Sequence, residues 1–278
     1  MTVKKLTSWL TGLLLHLPLL GGAIFMLLPF LWMVSSSLKD NAQVFQFPPQ
    51  WIPQTWVWEN YKAAWESVPL GQYYWNSLVV AGLTTLGQLA TATLAAYVFA
   101  RLWFPGKDVI FLLILATMMI PEQVKMIPTF IMLKTFNWID TYQGLIVPAL
   151  VHPFGIFMLR QFFLGIPKEL EDAARMDGCS RLGILFRIIL PLSRAPISAL
   201  AVFVFLFQWN SFLWPLIVLN TQEKYTLQIG LAMLRDELGT NWPVLMAATS
   251  LATIPLIVLF LAAQKQFIKG ITLTGLKY

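Results

Sequence analysis

Charge is scarce in this chain: only 12% of its 278 residues are Asp, Glu, Lys or Arg, against roughly 25% in an ordinary soluble domain. That excludes a conventional water-facing surface. The one cysteine, Cys179, cannot close an internal disulfide, and two histidines, His16 and His152, are too few for a Cys/His zinc cluster, so no metal site is expected. No G-x-x-x-x-G-K-[ST] phosphate loop is present, since Gly106 and Lys107 are followed by Asp108, and the chain cannot hydrolyse ATP alone. H-E-x-x-H and G-x-S-x-G are missing too, and the expectation is that this is not an enzyme. A formal charge of +6 would suit a nucleic-acid binder, but no Lys/Arg run exceeds two residues and the cations are scattered between apolar blocks. No nucleic acid is expected as a partner.

What is abundant is apolar: 58% hydrophobic residues, with 12 Trp and 20 Phe. Crossing about 30 Å of hydrocarbon takes roughly 20 helical residues. Six runs have that length: Leu10 to Val34, Ser77 to Phe99, Val109 to Leu133, Tyr142 to Leu159, Pro196 to Leu219 and Val244 to Ala263. The pattern predicts an all-α integral membrane protein with six transmembrane helices, organised as one transmembrane domain over residues 1–278. The first run is longer than a signal-peptide core and no A-x-A-like site follows it, so it reads as a retained helix.

Cations report orientation, because positive segments are held on the cytoplasmic side. With both termini inside, that side carries Lys4, Lys5, Arg101, Lys107, Arg160, Lys168, Arg175, Arg181, Arg187, Arg194, Lys265, Lys269 and Lys277. The outer side carries only Lys39, Lys62, Lys134, Lys224 and Arg235. The imbalance predicts cytoplasmic N and C termini. Two longer outer segments follow, Ser35 to Asn76, rich in Pro and Trp, and Asn220 to Pro243. Each reads either as an ordered connector or as a docking surface.

The cytoplasmic segment 160–195 contains "PKELEDAARMDGCSRLGILFRIILPLSR". Pro167 suits a helix start, and Glu169, Glu171 and Asp172 fall in the first turns, where the helix dipole favours anions. Ala173 and Ala174 give a thin face, and Gly178, after Asp177, supplies a reversal. A second helix is expected from Ser180 to Ile189, with Leu182, Leu185, Phe186 and Ile189 on its apolar face and Pro191 at its end. By itself this is an amphipathic hairpin, which a membrane interface would also accommodate.

The order Asp172, Ala173, Ala174, Gly178, Ile189, Pro191 closely resembles the "EAA" loop of permease subunits in binding-protein-dependent ABC importers, E-A-A-x-x-x-G followed by I-x-L-P. Here Asp172 stands in place of Glu. The likeness runs over nearly the whole chain and is closest to the maltose-type carbohydrate permeases. It is carried by "NSL" at Asn76 to Leu78, "ARLWFPGK" at Ala100 to Lys107, "MMIPEQVKMIP" at Met118 to Pro128, "WNSFLWPL" at Trp209 to Leu216 and the tail "FIKGITLTGLK". The resemblance implies the type I ABC importer permease fold, with the loop docking as a coupling helix on a separate ATPase. Glu169, Glu171, Asp172, Ala173, Ala174, Asp177 and Gly178 would then serve coupling. It also implies a homologous permease as heterodimer partner, two ABC ATPase subunits, an external solute-binding protein and membrane lipid in a bacterial inner membrane. This chain would bind no cofactor; ATP and Mg would sit on the ATPases. The solute would be a sugar or a related polyol or glycoside, with a glycerol-phosphate permease as the alternative.

Charges inside a span are costly and usually face a cavity or partner, which singles out Glu122 and Lys125, with Gln123 between them. Three residues apart, they either pair on one face or border a solute pathway. "QWNSFLWPL" adds Gln208, Trp209, Asn210 and Trp214, amides and indoles that suit sugar hydroxyls and their apolar faces, or serve helix packing. His152, before Pro153, reads as a satisfied polar group. A stand-alone secondary transporter would show two similar halves, and the sequence has no convincing internal repeat. A membrane-embedded scaffold would use the loop for docking alone.

Overall fold

The computed structural model describes the backbone of residues 3–235 and 240–274, with side chains over 16–235 and 240–265. Residues 236–239 of the second long segment, most of the C-terminal tail, and Lys4, Lys5, Lys269 and Lys277 of the charge count lie outside the described side chains. Among the described residues every regular element is helical. In hydrocarbon each backbone group must be paired within the protein, and a helix does so within its own segment. The α-helices are α1 (Val3–Ser37), α2 (Asn41–Val44), α3 (Glu59–Ser67), α4 (Leu70–Arg101), α5 (Lys107–Ala116), α6 (Glu122–Thr135), α7 (Tyr142–Ile146), α8 (Pro153–Leu164), α9 (Glu169–Met176), α10 (Arg181–Ile184), α11 (Leu190–Leu192), α12 (Arg194–Trp209), α13 (Leu213–Val218), α14 (Leu227–Met233) and α15 (Trp242–Thr274).

Among the described residues, four helical stretches are long and apolar enough to cross a membrane: His16–Ser37, Leu70–Arg101, Tyr142–Leu164 and Trp242–Lys265. Two bent pairs raise the number to as many as six: Lys107–Met119 with Glu122–Thr135, at 100°, and Arg181–Leu192 with Arg194–Trp209, at 81°. The expected span from Val109 to Leu133 is therefore not one rod. Its helix tightens into a 3-10 turn at Thr117–Met119 and stops before Pro121, because the proline ring forces Ile120 into extended backbone (φ −84°, ψ 116°). The expected span from Pro196 to Leu219 also divides, between Trp209 and Leu213. Pro215 falls in the first turn of α13, where a missing N–H is harmless, whereas a continuous helix would have lost a bond there. In the gap the Asn210 amide donates to the Leu206 carbonyl at 2.8 Å.

Nor does Pro191 end the loop's second helix. A π turn over Leu185–Ile189 precedes it and accommodates the missing donor, and the helix runs on through α11 to Ser193. Of the apolar face expected there, Leu185 and Ile189 are buried with Ile184, while Leu182 and Phe186 are exposed.

The chain forms two compact units, Met1–Val68 with Leu231–Thr253, and Pro69–Gly230 with Ile254–Tyr278. In the first, the Pro/Trp-rich segment folds back on the end of α1. The fully buried Lys39 lies over the Trp32 ring, 4.1 Å from its centroid, and its ammonium donates to the Gln50 carbonyl. Burial pushes this amine below its ordinary value. Asn60 donates to the Ser37 and Lys39 carbonyls at 2.9 and 2.8 Å, closing the turn.

The second unit is built on α4, which packs against α8 and α12. Small residues set that approach: a Cβ on Gly155 would lie 3.1 Å from both Ala92 Cβ and Leu200 Cδ2. One apolar cluster joins Ala92, Ala96 and Phe99 of α4 to Leu159 and Phe163 of α8, Leu200 of α12, and Ala174, Ile184 and Leu185 of the loop. A second joins Val80, nearer the other end of α4, to Leu133, Leu145, Val218 and Ile229.

At that end Asp140 acts as a clasp. Its Oδ1 accepts from the Asn220 and Thr221 N–H groups at 2.9 and 3.0 Å, and Oδ2 from Lys224 Nζ at 2.9 Å and from the Thr221 hydroxyl. Partial burial pushes the carboxyl up, but the hydrogen bonds from Thr221, Asn220 and Lys224 outweigh it and hold the group well below the usual carboxylate range. A depressed carboxyl contributes stability above its ordinary value of 3.8 and loses it as pH falls through the depressed value. Asp140→Asn is therefore expected to destabilise the protein by about 1.5–3 kcal/mol at pH 7. Melting in detergent should show the gap between variant and wild type narrowing only below pH 4.

Candidate functional site

Helix α9 carries Glu169, Glu171 and Asp172 in its first turn and Arg175 in its last, matching the dipole at both ends. It closes in a double-bonded reversal: Cys179 N–H donates to the Ala174 carbonyl at 2.8 Å and Gly178 N–H to the Arg175 carbonyl at 3.0 Å. This arrangement needs a left-handed residue, and Gly178 has φ +77° with open space where a side chain would stand. The next helix is capped by the Ser180 hydroxyl, which accepts from Gly183 N–H at 3.1 Å.

The two faces of α9 do different things. Glu171 and Ala174 are buried, whereas Glu169, Asp172, Ala173, Met176 and Asp177 are exposed. Glu171 Oε1 meets Arg101 Nε at 2.7 Å, with side chains only 4% and 2% exposed. Arg101, the last residue of α4, also donates from Nη2 to the Ile166 carbonyl at 2.6 Å. Arg175 approaches Glu171 Oε2 at 3.9 Å. The loop helix is thus riveted to the end of α4 by a charge pair out of water. Sequence reasoning grouped Glu171 with the outward coupling residues; its carboxylate is instead committed inward, because Arg101 needs an anion there. Arg101 had entered only the charge count and the "ARLWFPGK" stretch, with no role given to it. Its place at the end of an apolar run was the available signal.

A second feature lies within the unit built on α4: a cavity of about 400 Å³ where three helix breaks meet. Glu122 begins α6, His152 precedes α8, and Gln208 and Ser211 flank the end of α12; all four line it, with Lys125, Trp214 and Phe207. Gln88 lies close to the middle of α4, which sets the cavity near mid-span. The carbonyls freed between α7 and α8 are not orphaned. Gln88 Nε2 donates to the Ala149 carbonyl and the Thr91 hydroxyl to that of Leu150, each at 2.6 Å.

Of the residues expected near a pathway, Glu122, Lys125, Gln208 and Trp214 are brought together, while Gln123 and Asn210 are not among the lining residues. Trp209 is buried, edge-on to Tyr74 at 5.3 Å and stacked on Phe205 at 5.6 Å, so it packs helices. No ion pair within 4.0 Å joins Glu122 to Lys125, and both are exposed. Their pairing on one helical face, which the spacing allowed, does not occur. His152, read as a satisfied polar group, lines the cavity beside them. The His-Pro dipeptide that opens α8 was its only signal. Among the described residues no three His, Cys, Asp or Glu gather as a metal site.

Apolar spans, broken helices around a polar cavity, and an amphipathic loop helix tied to a span define a polytopic membrane transport component. Residues 90–273 match the family described as the binding-protein-dependent transport system inner membrane component, and the chain belongs to that family. It is 36% identical over 258 residues to the arabinooligosaccharides transport system permease protein AraQ of Bacillus subtilis, covering 92% of each chain. It is 34% identical over 265 residues to the sn-glycerol-3-phosphate transport system permease protein UgpE of Yersinia enterocolitica, covering 92% of this chain and 94% of that one. Its fold is similar to a bacterial ABC transporter involved in the import of the acidic polysaccharide alginate, with a TM-score of 0.80, 23% identity and coverage of 94% of this chain and 98% of that chain. The chain is an ABC importer permease, a non-catalytic membrane component.

Removing one partner of the riveting pair strands a buried charge. Glu171→Ala is expected to cost about 3–5 kcal/mol in thermal unfolding, and the double change Arg101→Met with Glu171→Leu should recover most of it.

Proposed function

We propose that this chain, residues 1–278 as one permease domain, pairs with a homologous permease to form a pathway for uptake of a sugar or a related polyol or glycoside. Two separate ATPases drive it and an external solute-binding protein supplies it. Both termini face the cytoplasm, where the Lys and Arg excess lies. The exposed face of α9, with Glu169, Asp172, Ala173, Met176 and Asp177, docks on an ATPase, and Gly178 sets the reversal that presents it. ATP-driven closure of the ATPases draws the two loop helices together and opens the bundle outward; hydrolysis, with its Mg and nucleotide on those partners, restores the inward-facing form.

The observation that carries this reading is the asymmetry of α9. One face is pinned to α4 through Glu171 and Arg101, and the other is left open, with Met176 89% exposed. A helix docked only to a membrane surface would not need a buried charge pair. One anchored to a transmembrane rod passes a push directly into the bundle. A second reading, uptake of a glycerol phosphate, rests on the near-equal similarity to the two permeases, whose named solutes differ in charge.

The test uses the transporter purified with its companions and reconstituted in vesicles. In a Cys179→Ser background, Met176→Cys with a short bifunctional thiol reagent is expected to crosslink to a nucleotide-hydrolysing subunit. Failure of Met176→Cys and Ala173→Cys alike to reach such a subunit in working vesicles overturns the proposal. Gly178→Val, which forces a branched residue into left-handed backbone, is expected to cost about 1–2 kcal/mol locally. It should lower transport per ATP hydrolysed while membrane insertion is kept.

A further inference from the structure

The cavity beside α4 has a composition that bears on solute charge. Its lining holds one permanent cation, Lys125, and one carboxylate, Glu122, with His152 near them and no arginine. Lys125 and Glu122 are not spent on each other, and no hydrogen bond to another side chain ties either down among the described residues. Charges at mid-span are tolerated where they meet water or a polar guest. The remaining lining adds Gln208 and Ser211, which both donate and accept, and the flat faces of Trp214 and Phe207.

We infer that this cavity is a solute subsite for an uncharged polyhydroxylated molecule, and that this subunit itself discriminates against anions through Glu122. The inference deepens the uptake reading above and rests on it. A hydroxyl-bearing ring can donate to the Glu122 carboxylate, accept from Lys125 and from the Gln208 amide, and lay its C–H face on Trp214, so every unpaired group finds a partner. A phosphate or carboxylate solute gains Lys125 but brings its negative charge into the same small cavity as the Glu122 carboxylate, which repels it whatever hydroxyls it carries. The forked guanidinium that suits a phosphate is missing from the lining. Balanced, unpaired charges therefore favour neutral hydroxylated guests, and the carboxylate is the excluding element.

The experiment follows protection of a reporter thiol in the assembled transporter. In a Cys179→Ser background, Ser211→Cys is labelled with a small water-soluble thiol reagent in the presence of neutral mono- and disaccharides and polyols, or of glycerol 3-phosphate. Thr129→Cys, on another part of the cavity wall, is the second reporter should the first fail to assemble. At least one neutral sugar or polyol is expected to slow labelling, with glycerol 3-phosphate without effect at the same concentration. Glu122→Gln should weaken that protection about tenfold, as loss of a hydrogen bond to a charged acceptor does, and should let glycerol 3-phosphate protect. Protection by glycerol 3-phosphate in the unaltered cavity would overturn the inference. So would labelling insensitive to every probe at both positions. The latter result, obtained while ATP-dependent uptake and the Met176→Cys crosslink persist, would remove the subsite and leave the permease reading standing.

Discussion

The contact between Arg101 and Glu171 governs how the rest of this molecule is used. Taking two charges out of water costs several kcal/mol per ion, and their attraction repays it only with close geometry. Here the ion pair closes to 2.7 Å between Nε and Oε1, and the guanidinium's Nη2 donates to the Ile166 carbonyl. Apolar side chains of similar volume would hold the two helices together as firmly. What the pair adds is register: one end of α4, one turn of α9 and the segment between α8 and α9 are set in a single relative position.

From Gln88 to Arg101 is thirteen residues along α4, about 20 Å at the helical rise. One rod thus carries the wall of the mid-span cavity and the rivet of the loop helix. The apolar cluster that includes Ala96, Phe163, Leu200, Ala174 and Ile184 fills the space between them with packed side chains. Close-packed interiors transmit displacement, and in a core this continuous a shift of α9 has no soft layer to absorb it. The loop helix and the wall of the cavity are therefore joined by one helix and one continuous packed core.

The second constraint comes from the bilayer. Irregular backbone at membrane depth is tolerated only where protein or water satisfies it. The breaks at Thr117–Pro121, 150–152 and 210–212 collect around one cavity, and the one at 150–152 draws on α4 for its hydrogen bonds. Gln88 and Thr91 look out of place on an apolar helix until their acceptors are known. The broken helices open a polar space, and Gln88 and Thr91 of α4 satisfy the carbonyls freed at the 150–152 break, so that break and those two polar residues are explained together.

Much of this was legible in advance. Apolar runs named the membrane class because transfer free energy adds up along a segment whatever its neighbours are. The "DAARMDG" stretch showed its helix and glycine stop, since dipole and left-handed reversal are local effects. The bend at Pro121 was legible only as a proline inside a run. Whether proline kinks, breaks or is absorbed by a π turn, as at Pro191, depends on packing partners far along the chain. Glu171 and Asp172 are adjacent carboxylates with the same local propensity, and only the position of Arg101, 70 residues away, decides which is buried. Likewise Trp209 and Trp214 differ little in sequence context, yet one packs against Tyr74 and the other lines the cavity. Composition and short-range chemistry thus determined that this is a helical membrane protein with a loop helix closed at Gly178. The tertiary structure alone decided which charge is buried, which are left unpaired and where the broken helices converge, because those outcomes depend on partners that the chain brings together only when it folds.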